Sequence, residues 1–335
     1  MSATLKDVAL KAGVSTSAVS RTFTPGASVS TKMRTRVEKA AEELGYQPNF
    51  LARSLTTRRT KLIGLVSDNF TNPFFLHVFD LFTSGLQEQG LRPLLVNISG
   101  QHDPVETAQM LRQYSVDGVI VASSTVGRDF VDAFQNVKIP IVYTFSRYYS
   151  SPEVNIVGID NRAAGEYAAN ILIDRGYETI GFMGGPKEAI STYDRYLGFS
   201  KVMSEHPEID FSYSFAEAYS FAAGRKEMMR LLEGDKAEAY FGADDVVSIG
   251  ALSAIEAHGL SVPDDIGILG LNDIEMAGWE NINLTTIRQP VAQIVASSIE
   301  LMASLLEREG EQYPEARLLP SRLVERGTLR PPSDI

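Results

Sequence analysis

The sequence predicts a two-lobed α/β core of parallel sheets that carries an N-terminal all-α helix-turn-helix head. Three observations lead there. Two short helical patterns joined by a Gly turn open the chain, and basic residues concentrate in the same stretch. From Lys61 onward, strand and helix patterns alternate to near the end.

In the head, Leu5, Val8, Ala9 and Ala12 recur at i, i+3, i+4 and i+7, so one helix face is apolar. Gly13 supplies the turn and Ser15 is a good N-cap for a second helix. On that second helix Val19 faces the core, which leaves Thr16, Ser17, Ser20 and Arg21 outside. Helices joined in this way present the second one to the DNA major groove. A third helix begins after Ser30, buries Val37, Ala40, Ala41 and Leu44, and stops at Gly45.

Charge points the same way. Up to Lys61 there are 11 Lys and Arg against 4 Asp and Glu, a net of +7, whereas the whole chain carries −11. A basic head on an acidic body suits a phosphate-seeking module attached to something that does not bind DNA. The competing explanation, a merely solvated charged surface, does not account for the coincidence with the helix-turn-helix pattern.

After Pro48, the run Asn49 to Leu55 has helical propensity but too little length, so it needs a partner to fold. Thr56 to Thr60 then reads as a basic linker. Strands follow at Leu62–Val66, Pro93–Ile98, Gly118–Ala122, Ile139–Thr144, Ile156–Ile159, Thr179–Met183, Ala239–Gly242 and Ile266–Leu269, with helices between them, starting near Pro73, Pro104 and Gly127 in the first part. This alternation is the mark of parallel sheets covered by helices, and its length exceeds one comfortable sheet. The organisation expected is a head at 1–46, a hinge helix and linker at 47–60, and a core at 61–330.

In open parallel sheets, ligands bind beyond the carboxyl ends of the strands. The loops there hold Phe70, Asn72, Phe74, Phe75, Ser123, Ser124, Phe145, Arg147, Asp244, Asp245, Asn272 and Asp273. Aromatic faces, carboxylates, amides and a guanidinium suit a small polar ligand such as a carbohydrate. For Asp245 and Asp273 the plainer alternative is that each caps the following helix.

Several function classes recede. The 335 residues include no run of about 18 apolar ones, so no membrane span is expected. The N-terminus lacks an apolar signal core, which makes the cytoplasm, at the nucleoid, the expected location. Cys is absent, the four His match no metal spacing, and no G-x-G-x-x-G, Walker or G-x-S-x-G motif appears. Neither catalysis nor any cofactor or metal is therefore expected. A solute-binding receptor without DNA function is the remaining rival; it would bind ligand but show no salt-dependent retention on DNA.

The head carries Asp7-Val8-Ala9, Ala12-Gly13-Val14-Ser15, Val19-Ser20-Arg21, Gly45-Tyr46 and Pro48-Asn49. The body adds Asn72-Pro73-Phe74-Phe75, Asp160-Asn161, Gly184-Gly185-Pro186, Arg195, Gly198-Phe199, Leu284-Thr285-Thr286, Gln289-Pro290 and Arg326-Gly327. In this order the motifs resemble those of the LacI/GalR family of bacterial transcriptional regulators, from Thr4 to about Pro332. The resemblance implies a core like that of periplasmic sugar-binding proteins. Its lobes would comprise about 61–159 with 290–318 and about 160–289 with 319–329, the chain crossing near Asp160, Gln289 and Leu319.

It also implies a repressor that acts as a homodimer on pseudopalindromic double-stranded operator DNA and answers to a sugar-like effector. Thr16, Ser17, Ser20 and Arg21 would then lie at the major groove. Asn49, Ala52 and Leu55 would form the hinge contacts, with Leu55 as a minor-groove wedge. Phe74, Phe145, Arg147, Arg195, Tyr219, Asp244 and Asn272 would surround the effector, Arg195 gripping hydroxyls or a carboxylate. The competing role for Arg195 is an ion pair with Asp194. Where lactose-type repressors carry an acidic residue after the fourth strand, this chain has Phe145, so the pocket is expected to be more aromatic there.

Overall fold

The computed structural model describes residues 3–24, 26–47, 59–100, 103–123, 126, 128–148, 152–307 and 313–332. The chain separates into two compact units, Met1–Thr60 and Lys61–Ile335.

The first unit holds α1 (Leu5–Ala12), α2 (Thr16–Thr22) and α3 (Thr31–Glu43). Each begins on a hydroxyl cap. Thr4 and Asp7 form a reciprocal capping box, Ser15 accepts from the Ala18 amide, and Ser30 accepts from the Met33 amide. Gly13 ends α1 at φ +60°, a left-handed conformation that costs a glycine little. Val8, Ala9, Ala12, Val19, Val37, Ala40 and Ala41 make the small core. Leu44, expected inside, is half-buried at its edge. The hinge segment after Pro48, with Asn49, Ala52 and Leu55, lies outside the described residues.

The second unit contains two six-stranded sheets. The first is built from β1 (Leu62–Ser67), β2 (Arg92–Asn97), β3 (Gly118–Ala122), β4 (Ile141–Thr144), β5 (Asn155–Gly158) and β11 (Ala316–Leu318), in the order β11-β5-β4-β3-β1-β2. The second is built from β6 (Thr179–Gly184), β7 (Asp210–Phe215), β8 (Ala239–Gly242), β9 (Gly267–Asn272), β10 (Thr286–Arg288) and β12 (Arg322–Val324), in the order β12-β10-β9-β8-β6-β7. Every pairing is parallel except β10 with β12. The chain passes between the sheets three times: after Gly158, after Arg288 and after Leu318.

The helices of this unit are α4 (Pro73–Glu88), α5 (Pro104–Gln113), α6 (Arg128–Val137), α7 (Asn161–Ile173), α8 (Ile190–Glu205), α9 (Phe221–Leu232), α10 (Asp245–Ala257) and α11 (Val291–Glu307). Pro73 and Pro104 each occupy the first turn, where a missing N–H costs nothing, and Asn72 and Asp103 cap in front of them. In α4, Phe74, Phe75, Val78, Phe79, Phe82 and Leu86 are buried on one stripe. Burial of side chains of this size stabilises by about 1.5–3 kcal/mol each. Because α11 packs on both α4 and the first sheet, the chain returns to the first lobe after leaving the second.

Four strands escape the sequence reading. β7 lies on a sheet edge where only Ser214 is buried, and β10, β11 and β12 have three residues each, too few to show a period. Predicted ends also move: the fourth strand starts at Ile141 rather than Ile139, and β9 runs on to Asn272.

Candidate functional site

On the head, the four residues expected at the groove behave as the helix pattern requires. Thr16, Ser17, Ser20 and Arg21 are all exposed on α2, while Val19 and Thr22 are buried beneath them. The Ser17 hydroxyl lies 2.9 Å from that of Ser15, so it is pre-oriented at the start of the helix. Arg34 donates to the Thr22 carbonyl at 3.1 Å and ties α3 to the end of α2. Lys11 and Glu43 join α1 to α3 at 2.7 Å. A short recognition element is thereby held on a rigid support.

In the core, a narrow cavity of about 20 Å³ lies between the two lobes, at the carboxyl ends of the strands. The first lobe supplies Asn72 and three phenyl rings, Phe74, Phe75 and Phe145. Phe145 meets Phe74 edge-on at 5.3 Å and Phe75 at 5.9 Å, so the rings form one apolar wall. Phe145 adopts φ +61°, a costly conformation for a bulky residue, at the end of β4. The second lobe supplies Ser191, Arg195, Tyr219, Asp244 and Asn272, and Gln289 comes from a crossing segment.

Arg195 is buried and is held by two neutral acceptors. Its Nε donates to Asn161 Oδ1 at 2.9 Å and its Nη1 to the Ala243 carbonyl at 2.8 Å. No carboxylate stands within 4 Å of it among the described residues, so the competing pairing with Asp194 is not formed. Burial pulls the Arg195 pKa below its ordinary value, with Tyr219 and Asp244 opposing the shift. A buried guanidinium with a face toward a polar cavity can donate to hydroxyl or carboxylate oxygens.

Asp244 does two jobs. It caps α10, accepting from the Val246 and Val247 amides at 2.8 and 3.3 Å, and it lines the cavity. Asn272 Nδ2 donates to it at 3.0 Å, and Gln289 Nε2 donates to Asn272 Oδ1 at 2.6 Å. Burial raises the Asp244 pKa, against the capping amides, Arg195 and the Asn72 side chain. Asn272 and Asp273 both sit at positive φ, 124° and 58°, strain fixed by this network. Tyr219 gives its hydroxyl to the neighbourhood of Thr192 and Ser191.

The cavity therefore gathers Phe74, Phe145, Arg195, Tyr219, Asp244 and Asn272 from the expected set. Arg147 is not among its lining residues; both of its donor arms engage Asp194 at 2.8 Å. Asp245 and Asp273 do not cap helices. Asp245 accepts from Thr286 Oγ1 at 2.6 Å and the Ile274 amide at 2.9 Å, and Asp273 pairs with Arg288 and Arg326. Phe70 stacks on Phe79 at 4.6 Å, and Ser123 bonds Asp68. Ser124 lies outside the described residues. Ser191 had no signal in the sequence, and Gln289 had been legible only as a crossing residue. No group of three or more His, Asp or Glu suited to a metal ion occurs among the described residues. No helix among them is long and apolar enough to cross a membrane.

Residues 4–49 match the family described as bacterial regulatory proteins, lacI family, and residues 169–329 match the periplasmic binding protein-like domain. The chain is 32% identical over 324 residues to the HTH-type transcriptional repressor PurR of Aliivibrio salmonicida, covering 94% of this chain and 95% of that one. With the repressor CytR of Escherichia coli K12 it shares 31% over 333 residues, 98% and 96% of the two chains. The structure of the Lac repressor dimer bound to operator and the anti-inducer ONPF superposes with a TM-score of 0.89 at 25% identity, over 98% and 99% of the chains. The transcriptional regulator CelR in complex with cellobiose superposes at 0.72 with 27% identity, over 97% and 99%.

Proposed function

Since the chain belongs to the lacI family of bacterial regulatory proteins, we propose which molecule it answers to and which residues carry the response. It is a ligand-responsive, sequence-specific DNA-binding transcriptional regulator, not an enzyme, and the lacI-type head argues against a receptor without DNA function. In the proposed reading it is a homodimeric repressor in the cytoplasm, at the nucleoid, acting on a pseudopalindromic operator. Thr16, Ser17 and Arg21 contact base edges in the major groove, with Ser20 on the same exposed face. Asn49, Ala52 and Leu55 belong to the hinge, with Leu55 as the wedge.

The effector is a small sugar or sugar derivative. The observation that carries this is the division of the cavity: a phenyl wall on one lobe, and Arg195, Asp244 and Asn272 on the other. A sugar ring has C–H faces for the first and hydroxyls that both donate and accept for the second. The CelR neighbour was solved with cellobiose, which supports the same chemistry here. Ligand in the cleft changes the relative population of two lobe arrangements, and operator affinity follows by linkage.

The test has two stages. An operator is selected from random duplex DNA, and a panel of sugars, sugar acids and nucleosides is then screened for changed operator retention. A neutral or acidic sugar that alters retention and is lost on Arg195→Ala supports the reading. A response confined to nucleosides, or one indifferent to Arg195, overturns it.

A further inference from the structure

Asp194 precedes Arg195 on α8, and only about 4% of its side chain is exposed. Its two oxygens accept from one guanidinium: Arg147 Nε reaches Oδ2 at 2.8 Å and Nη2 reaches Oδ1 at 2.8 Å. Arg147 follows β4 in the first lobe, so this paired, fork-shaped contact runs straight across the cleft. A second guanidinium stands by. Arg162 Nε, on α7 of the same lobe as Asp194, lies 3.5 Å from Oδ1 and is mostly exposed.

We propose that Arg147 and Asp194 form a latch that holds the two lobes together without effector, with Arg162 keeping the Asp194 charge when the latch opens. A buried carboxylate stripped of every partner is costly, which would weld the lobes shut. Arg162 removes that obstacle, because it stays with Asp194 whichever way the first lobe moves. The carboxylate therefore keeps one of its two arginines instead of losing both. The latched arrangement leaves a cavity of about 20 Å³, room for little more than a water molecule, so the effector enters from the unlatched minority. Its apparent affinity is lowered by the fraction of chains that are latched.

This inference rests on reading the cleft as the effector site, but it is tested with no effector present, so the two fail separately. Hydrogen exchange is followed on the full-length chain for the parent and for Arg147→Met, Arg147→Lys, Arg162→Met and the double variant Arg147→Met/Arg162→Met. Arg147→Met is expected to speed exchange by about tenfold in segments 142–148 and 189–196, with the remaining segments unchanged. Arg147→Lys restores part of that protection, and Arg162→Met alone leaves the cleft as it was. The double variant strands Asp194 and lowers stability by more than the two single losses combined. Cleft exchange in Arg147→Met equal to the parent's, or exchange accelerated throughout the chain, overturns the latch. Additive losses in the double variant overturn the role of Arg162.

Discussion

Asn161 aims Arg195: the amide oxygen of Asn161 accepts from the guanidinium Nε at 2.9 Å, between the first turn of α7 and the middle of the cleft. The same helix begins at Asp160, whose carboxylate caps it by accepting from the Arg162 and Ala163 amides. The orientation of the arginine is therefore set by a helix start, and that start lies on the first crossing between the lobes. Any displacement of the crossing is passed to the arginine over one hydrogen bond.

Arg195→Ala and Arg195→Lys are expected to abolish the effector response while leaving effector-free operator affinity unchanged, because Lys lacks the planar fork. Asn161→Ala is expected to weaken effector binding by about 10- to 100-fold, the range for one hydrogen bond to a charged group. Calorimetry with the identified effector checks both. Equal affinity in the Arg195→Ala protein and its parent would place the effector elsewhere.

Gly165 and Gly198 let α7 and α8 approach closely. A Cβ at Gly165 would stand 2.1 Å from the Arg195 carbonyl oxygen, and one at Gly198 would stand 2.0 Å from the Arg162 carbonyl oxygen. Both obstacles are backbone, which yields only if the helices part. Gly165→Ala is expected to cost about 1–3 kcal/mol of overpacking and to lower effector affinity as well. Denaturant midpoints, read alongside calorimetry, check this; a variant as stable as the parent contradicts the close approach.

Asp245 is fully buried, and burial pushes its pKa up to about 7 from an ordinary 3.8. Between those values the folded chain holds a proton that the unfolded chain has released. The stabilisation linked to that proton is complete below about pH 4 and disappears as pH rises through about 7, an effect on the order of a few kcal/mol. Asp245→Asn is expected to flatten this part of the profile, since the Thr286 hydroxyl that donates to Asp245 can also accept. Denaturation at a series of pH values from 4 to 8 checks it. Parallel profiles for variant and parent would show that Asp245 does not titrate there.

What the sequence made legible followed from how local each signal is. The Ser15 cap, the Gly13 turn and the exposed face of α2 are set within a few residues, and each was readable. Strand ends placed Phe145, Asp244 and Asn272 because parallel sheets always offer that edge to ligands. Arg147 was assigned to the effector because it stands at such an edge. Its actual partner, Asp194, is 47 residues away on another lobe, and no periodicity reports that. Ser191 is a small polar residue at a helix start, indistinguishable by type from many that only cap. β7 reads Asp-Phe-Ser-Tyr-Ser-Phe, a strict polar–aromatic alternation that the sequence does carry, although at this sheet edge Tyr213 stays exposed.

On the head, Arg21→Ala or Ser17→Ala is expected to relax base preference at one or two operator positions, at about 1–3 kcal/mol for each lost base contact. Binding-site selection with each variant checks the assignment. A uniform loss of affinity with unchanged preference would mean that these side chains touch phosphates. Operator affinity of the parent should also fall steeply between low and physiological salt, as displaced counterions require.

The three passages between the lobes constrain how they travel. Two residues separate β5 from α7, two separate β10 from α11, and three separate β11 from β12. At no more than about 3.6 Å per residue, none of these tethers has slack for the lobes to slide apart or translate past one another. Anchored side by side, they leave a bending or twisting motion about the line that joins them. The molecule works as a three-strap hinge, with the largest arc at the points farthest from the straps. Small angular changes near Asp160, Gln289 and Leu319 become ångström-scale excursions at the far rims of the lobes, and a lengthened strap would loosen the motion without touching a single ligand contact.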